Sequence, residues 1–186
     1  MIIGITGTLG AGKGTIVEIL KKKWFGHYSV REFLVEELKK RGLPVNRDSM
    51  VYLGNDLREK NSPSYIAEKL YERAEKNGGN SIIESIRAIG EVESLRKKRS
   101  FYLFSVDAPI NIRYKRILDR GVESDFVSYE KFVEDEKREM KSTDPNKQNL
   151  SACIKLADFS FINDGTIEEL RGKVEEVLKR IKNLQD

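Results

Sequence analysis

Gly7, Gly10, Gly12 and Lys13 fall within nine residues, Gly-Thr-Leu-Gly-Ala-Gly-Lys-Gly-Thr at 7–15, directly after an apolar run at 2–6 and directly before residues with helical spacing. In that context glycines let the backbone fold around an anion with its N–H groups turned inward. The helix N-terminus adds partial positive charge, and a lysine ammonium reaches the outer phosphates of a polyphosphate. Gly10, Ala11, Gly12, Lys13, Gly14 and Thr15 are therefore the candidate ligands of a nucleotide's phosphates. Gly14 stands where the general G-x-x-x-x-G-K pattern has Ser or Thr, so the hydroxyl that can join a Mg²⁺ ion comes one residue later, from Thr15. Glu84, closing a short apolar run beside this loop, is the second candidate for the metal. Arg116 and Arg120 are four residues apart and share one helix face. Forked guanidiniums suit a phosphoryl group in transfer, whose charge is spread over three oxygens.

Such groups need a scaffold that aligns a strand end, a turn and a helix start. The chain alternates short apolar runs at 2–6, 27–29, 81–84, 101–106 and 159–162 with longer periodic segments. Helices are expected after the glycine-rich loop up to Lys21–Lys23, over a stretch carrying Phe33, Leu34 and Leu38 that stops at Gly42, and at 49–60, 64–76, 90–99 and 110–120. A last helix is announced by Thr166 and Glu169, a capping-box pair, ahead of Leu170, Val174, Leu178 and Ile181. Strands alternating with helices predict a parallel sheet covered on both faces. The polar segment 121–149 breaks the rhythm, contains a helix expected at 129–140, and reads as an inserted lid.

At 186 residues the chain is expected to be one domain. A single cysteine, Cys153, excludes an internal disulfide and a thiolate zinc cluster, and a single histidine, His27, excludes a histidine-rich metal site. His27 itself reads as an ordinary strand or surface residue. No apolar run approaches the roughly 18–20 residues that span a bilayer, so a cytoplasmic protein with no membrane partner is expected. The net charge of +4 is covered by basic clusters at expected helix C-termini, among them Lys21–Lys23 and Lys39–Arg41, which oppose the helix dipole. They require no nucleic-acid partner.

The loop form G-x-x-G-A-G-K-G-T resembles that of adenylate kinase and the other nucleoside monophosphate kinases, and the resemblance runs from the first strand to the last. It implies a three-layer P-loop kinase fold with a five-stranded parallel sheet, a helical acceptor-binding excursion at about 30–76 and a lid at about 121–149. It also implies phosphoryl transfer from ATP·Mg²⁺ to the phosphate of a small-molecule nucleotide, by a monomer or small homo-oligomer. Glu84-Ser85-Ile86-Arg87 is similar to the family's Asp-Gly-x-x-Arg segment, with Glu for Asp, Ser for Gly and the arginine one residue early. On that resemblance Arg87 touches the transferring and acceptor phosphates, and Arg116, Arg120 and Arg138 close over them. Arg31 and Arg58 bind the acceptor phosphate, Tyr52 or Tyr65 stacks on its base, and Asn163 and Gly165 lie near the donor adenine. Dephospho-coenzyme A kinase shares this core and the Asn-Asp-Gly turn at 163–165. It usually carries Gly-Lys-Ser or Gly-Lys-Thr in the loop and an Asp after the second strand, where this chain has Ser29-Val30-Arg31. A regulatory GTPase would need Asn-Lys-x-Asp, and Asn146-Lys147-Gln148-Asn149 ends in the wrong residue. A non-kinase P-loop protein, an ATP-binding regulator or a nucleic-acid binder, is the remaining alternative.

Overall fold

Five of the apolar runs pair into one parallel sheet in a computed structural model that describes residues 1–98, 100–121 and 128–184. The strands are β1 (Ile2–Gly7), β2 (Gly26–Ser29), β3 (Ser81–Glu84), β4 (Phe101–Asp107) and β5 (Phe159–Ile162), in the order β2-β3-β1-β4-β5. This is the α/β, five-stranded parallel architecture that the alternating pattern predicts. The register pairs Ile5 with Glu84, Gly7 with Val106 and Asp107 with Ile162, so the carboxyl ends of β1, β3, β4 and β5 meet at one edge.

Alternating side chains divide the core in two. Ile3, Ile5, Ile82 and Phe104 are buried with Ile16 and Leu20 of α1 (Lys13–Lys21) and with Leu170, Val174 and Ile181 of α9 (Ile167–Asn183). Ile83 and Leu103, their sequence neighbours, belong to the opposite layer. That layer takes Leu38 from α2 (Val30–Lys40), Leu53 from α3 (Arg47–Lys60), Ile66 and Leu70 from α4 (Tyr65–Asn77) and Val92 from α5 (Ile89–Arg96). Two further helices, α6 (Ile110–Arg120) and α7 (Tyr129–Met140), cross the carboxyl edge, and a short α8 (Leu150–Lys155) leads into β5.

The differences from the expected elements have local causes. α3 begins at Arg47 rather than 49 because the Asn46 side chain accepts the N–H of Ser49 and caps the helix there. α5 ends at Arg96 rather than 99: Lys98 turns its N–H onto Leu95, and the chain must reach β4 by Phe101. α8 was not expected, since six residues are too few to show a helical period; Asn149 caps it. The Thr166–Glu169 capping box forms as the sequence indicates. Part of the expected lid segment, residues 122–127, lies outside the described residues. Among the described residues no helix is long and apolar enough to cross a membrane.

Candidate functional site

β1 ends by running into the loop at 7–12, where Gly7, Gly10 and Gly12 take φ values of 141°, 79° and 107°. Space enforces glycine as firmly as the torsions do: a Cβ on Gly7 would stand 2.1 Å from the Val106 carbonyl oxygen, and one on Gly12 2.2 Å from Asn163 Nδ2. Lys13 folds back into this loop, where its Nζ donates to the carbonyls of Gly7 (2.9 Å) and Thr8 (2.8 Å). Burial first, and then the neighbouring Arg87, pulls its pKa down to about 7. Lys13 is thus a buried ammonium bonded to two neutral carbonyls, with the charges of Glu84 and Glu139 offsetting part of the cost. The first turn of α1 carries neither a side-chain cap nor an acidic residue, so its N–H groups face the same space. At Gly14 an added Cβ would meet nothing within 4 Å.

The loop is braced from β4 and β5. Thr8 donates its hydroxyl to Asp107 Oδ1, and Asn163 donates Nδ2 to the Ala11 carbonyl at 2.8 Å. Asn163 thus supports the loop from within the protein; neither it nor Gly165 lines the cavity described next. Gly165 sits where the α9 capping box closes, its Cβ position 1.9 Å from a Glu169 carboxylate oxygen.

A cavity of about 650 Å³ opens on the loop. Gly10, Gly12, Lys13, Gly14 and Thr15 line one end, and Val30, Leu34, Met50 and Val51 of α2 and α3 line the other. Of the expected residues, Arg31, Arg58, Glu84, Arg87, Arg116 and Arg120 all reach it, whereas Ala11 is buried behind the loop. Among the described residues the charged lining groups are seven cations, Lys13, Arg31, Arg47, Arg58, Arg87, Arg116 and Arg120, against two carboxylates, Glu84 and Glu139. Arg116 donates Nη1 to the Asn163 carbonyl (3.0 Å), which ties α6 to the turn after β5. Among the described residues Arg31 has no ion pair.

Three further expected residues lie elsewhere. Arg138 pairs with Asp48 (2.9 Å) and Asp135 (3.4 Å) outside the cavity, because the face of α7 turned inward carries Phe132, Asp135 and Glu139. Tyr52 projects into solvent, and Tyr65 packs on the α2–α5 core with Lys69 over its ring.

Glu139 is one of two acids the sequence reading missed. It accepts from Arg87 Nη1 and, at 2.9 Å, from Arg47 Nε, so one carboxylate joins α7, α3 and the segment after β3. Gln148 Oε1 also receives Arg87 Nη1, at 3.1 Å. Burial raises the pKa of Glu139, but the Arg87 and Arg47 charges outweigh it and hold the carboxyl below its usual range. Glu84 behaves alike: against burial, the hydrogen bond from His27 Nε2 (3.0 Å) and the charge of Lys13 keep it ionised. His27 is thus no ordinary strand residue but the partner of the candidate metal carboxylate. Arg58, expected as an open cation for the acceptor phosphate, instead gives Nε and Nη2 to Glu91 Oε1 (3.0 and 2.8 Å). Glu91 Oε2 takes the backbone N–H groups of Arg87 and Ala88. Both missed acids left a faint signal. Glu91 stands at the third position of a helix, where a carboxylate reaches back to free N–H groups, and Glu139 is seven residues after the buried Phe132.

Thr15 and Glu84 both line the cavity beside Lys13, which fits a magnesium ion carried on nucleotide phosphates and completed by water. Among the described residues no group of three or more His, Cys, Asp or Glu could hold a metal without the nucleotide.

A family model described as an AAA domain matches residues 3–141. The UPF0200 protein MJ1399 of Methanocaldococcus jannaschii is 31% identical over 186 residues, covering 98% of this chain and 91% of that protein. Among solved structures, TT1252 from Thermus thermophilus superposes with a TM-score of 0.65 at 17% identity, covering 100% of this chain and 98% of that one. Shikimate kinase from Aquifex aeolicus gives 0.52 at 17% identity with the same coverage. At these identities the structural likeness is one of fold.

Proposed function

We propose, since this chain belongs to the UPF0200 family and to the AAA-domain family of P-loop proteins, that it transfers a phosphoryl group from ATP to a nucleoside or deoxynucleoside monophosphate. The cavity carries the proposal: a polyphosphate loop at one end, an apolar floor at the other, and between them an excess of cations over carboxylates that remains after Arg58 is set against Glu91. Lys13 and the loop amides account for one polyphosphate. The remaining guanidiniums suit a second phosphate-bearing molecule better than an uncharged one.

In this reading the loop N–H groups and Lys13 hold the outer phosphates of ATP, and Thr15 and Glu84 hold its magnesium ion, which would offset charge on the transferring group. Arg87, Arg116 and Arg120 stabilise the negative charge that spreads over the phosphoryl oxygens in transfer. α7, tied to α3 through Glu139–Arg47 and Arg138–Asp48, keeps water from the donor. A monophosphate acceptor arrives ionised and needs no base. A hydroxyl acceptor, as in dephospho-coenzyme A, needs one, and the two carboxylates on the cavity are both held below their usual pKa, which weakens them as bases.

The test is to incubate the protein with ATP, Mg²⁺ and a panel of ribo- and deoxyribonucleoside monophosphates together with dephospho-coenzyme A. Formation of ADP and a nucleoside diphosphate is expected. Consumption of dephospho-coenzyme A alone, or of no acceptor, overturns the proposal.

A further inference from the structure

β3 hands the chain to the cavity through a strained residue. Ser85 takes a φ of 72°, in the left-handed region that suits glycine and costs a residue with a side chain. Among the described residues the other non-glycines there are Trp24 and Ser100, which precede β2 and β4 at the amino edge of the sheet and do not line the cavity. Ser85 does line it.

The conformation is imposed from both sides. The N–H groups of Ser85 and Ile86 both donate to the Ile5 carbonyl, at 2.9 and 3.1 Å, and the Thr6 hydroxyl donates to the Ile86 carbonyl at 2.8 Å. Just beyond, Glu91 accepts the N–H groups of Arg87 and Ala88 at 2.9 and 3.1 Å. A turn fastened in this way lets Glu84 and Arg87 both reach the cavity, and glycine would make it at lower cost.

What serine adds over glycine is a hydroxymethyl group, and the fold makes no use of its hydroxyl. Among the described residues Ser85 Oγ has no hydrogen-bond partner, and it is not one of the sealed-in polar atoms without partners, which belong to α3 and α7. The hydroxyl is therefore open, on a half-buried residue of the cavity wall. Backbone strain of this kind persists where the surroundings enforce it, and it gathers at positions with a task. The flanking residues say which task. Glu84 and Arg87 stand on either side of Ser85, and Lys13 feels the charges of both, so Ser85 belongs to the phosphate end of the cavity and not to its apolar floor. There a hydroxyl offers one donor to a phosphate oxygen without adding charge.

We infer that Ser85 Oγ donates a hydrogen bond to the phosphoryl group in transfer, and that the chain carries a strained serine in place of glycine to put that donor there. This rests on the monophosphate-kinase reading and adds a catalytic residue to it. In the transfer the bond from the γ-phosphorus to the β–γ bridging oxygen breaks, a bond from an acceptor phosphate oxygen forms, and ADP leaves. The serine keeps its proton and forms no bond to phosphorus.

Two variants separate the hydroxyl from the strain, each read by its melting temperature and by kcat and KM with ATP, Mg²⁺ and the monophosphate turned over fastest in the acceptor panel. Ser85→Gly removes both, so it should raise the melting temperature while kcat falls about tenfold and both KM values stay within about twofold. Ser85→Ala keeps the strain and loses the hydroxyl; it should melt near the wild type with the same loss of kcat. A kcat retained in either variant, or a loss carried by KM instead, overturns the inference and leaves the kinase reading standing. A Ser85→Gly protein that melts no higher than the wild type also overturns it, since the premise of strain then fails. Wild-type protein that turns over no monophosphate removes both.

Discussion

Lys13 is buried against carbonyls and pulled down to about 7, and the charges of Glu84 and Glu139 offset only part of that burial. Lys13→Ala should lower phosphoryl transfer about 100-fold or more while the unfolding midpoint stays level or rises, because a cation whose burial lowers its pKa is removed. Steady-state kinetics and a denaturant titration on the same sample check both halves. Arg116→Ala should lower kcat more than it weakens ATP binding, whereas Arg138→Ala, off the cavity, should leave kcat/KM within about twofold. The loop residues were legible in the sequence because their roles depend on neighbours within nine positions. Glu91 and Glu139 were not: a carboxylate in a charged helix ordinarily faces water, and only the fold brings Arg58, Arg47 and Arg87 to meet these two. Arg138 illustrates the converse error, since one residue along a helix rotates a side chain by roughly a quarter turn, from the cavity to solvent.

At the scale of elements, the ion pairs that tie α7 to α3 differ in worth. Arg47–Glu139 is largely buried, and Arg138–Asp48 is exposed. Arg47→Ala leaves Glu139 with Arg87 alone and should cost about 1–3 kcal/mol in a urea titration, against about 0.5 kcal/mol or less for Arg138→Ala. Equal costs would show that the buried bridge does not hold α7. The strands and long helices were readable because each hides one face, as Ile82 and Ile83 do on opposite sides of β3. α8 was hidden by its length, and the true start of α3 by an asparagine cap that a periodicity search passes over.

For the whole molecule, pH acts through groups of opposite sign. Glu84 and Glu139 have folded pKa values below their ordinary one, so their contribution is complete above about pH 4.5–5 and is lost as pH falls through the depressed values. Lys13 has a lowered folded pKa, so its burial costs most below about pH 7 and less as pH climbs toward its ordinary value near 10.5. The melting temperature should therefore drop on the acid side, with a shallower drop in Glu139→Gln. An equally steep acid limb in that variant would place the acid sensitivity elsewhere. Basic residues stand in the last turns of α1, α2 and α9, where they oppose the helix dipole. One buried atom reports on all of this. The only thiol, Cys153, is pushed up to about 12 by burial in the layer beneath α8, and the backbone N–H of Asn149, the cap of that helix, is bonded to the carbonyl of Arg87. A thiol reagent can therefore label the chain only during moments when α8 lifts, which makes the labelling rate a stopwatch for how often the floor under Arg87 comes loose.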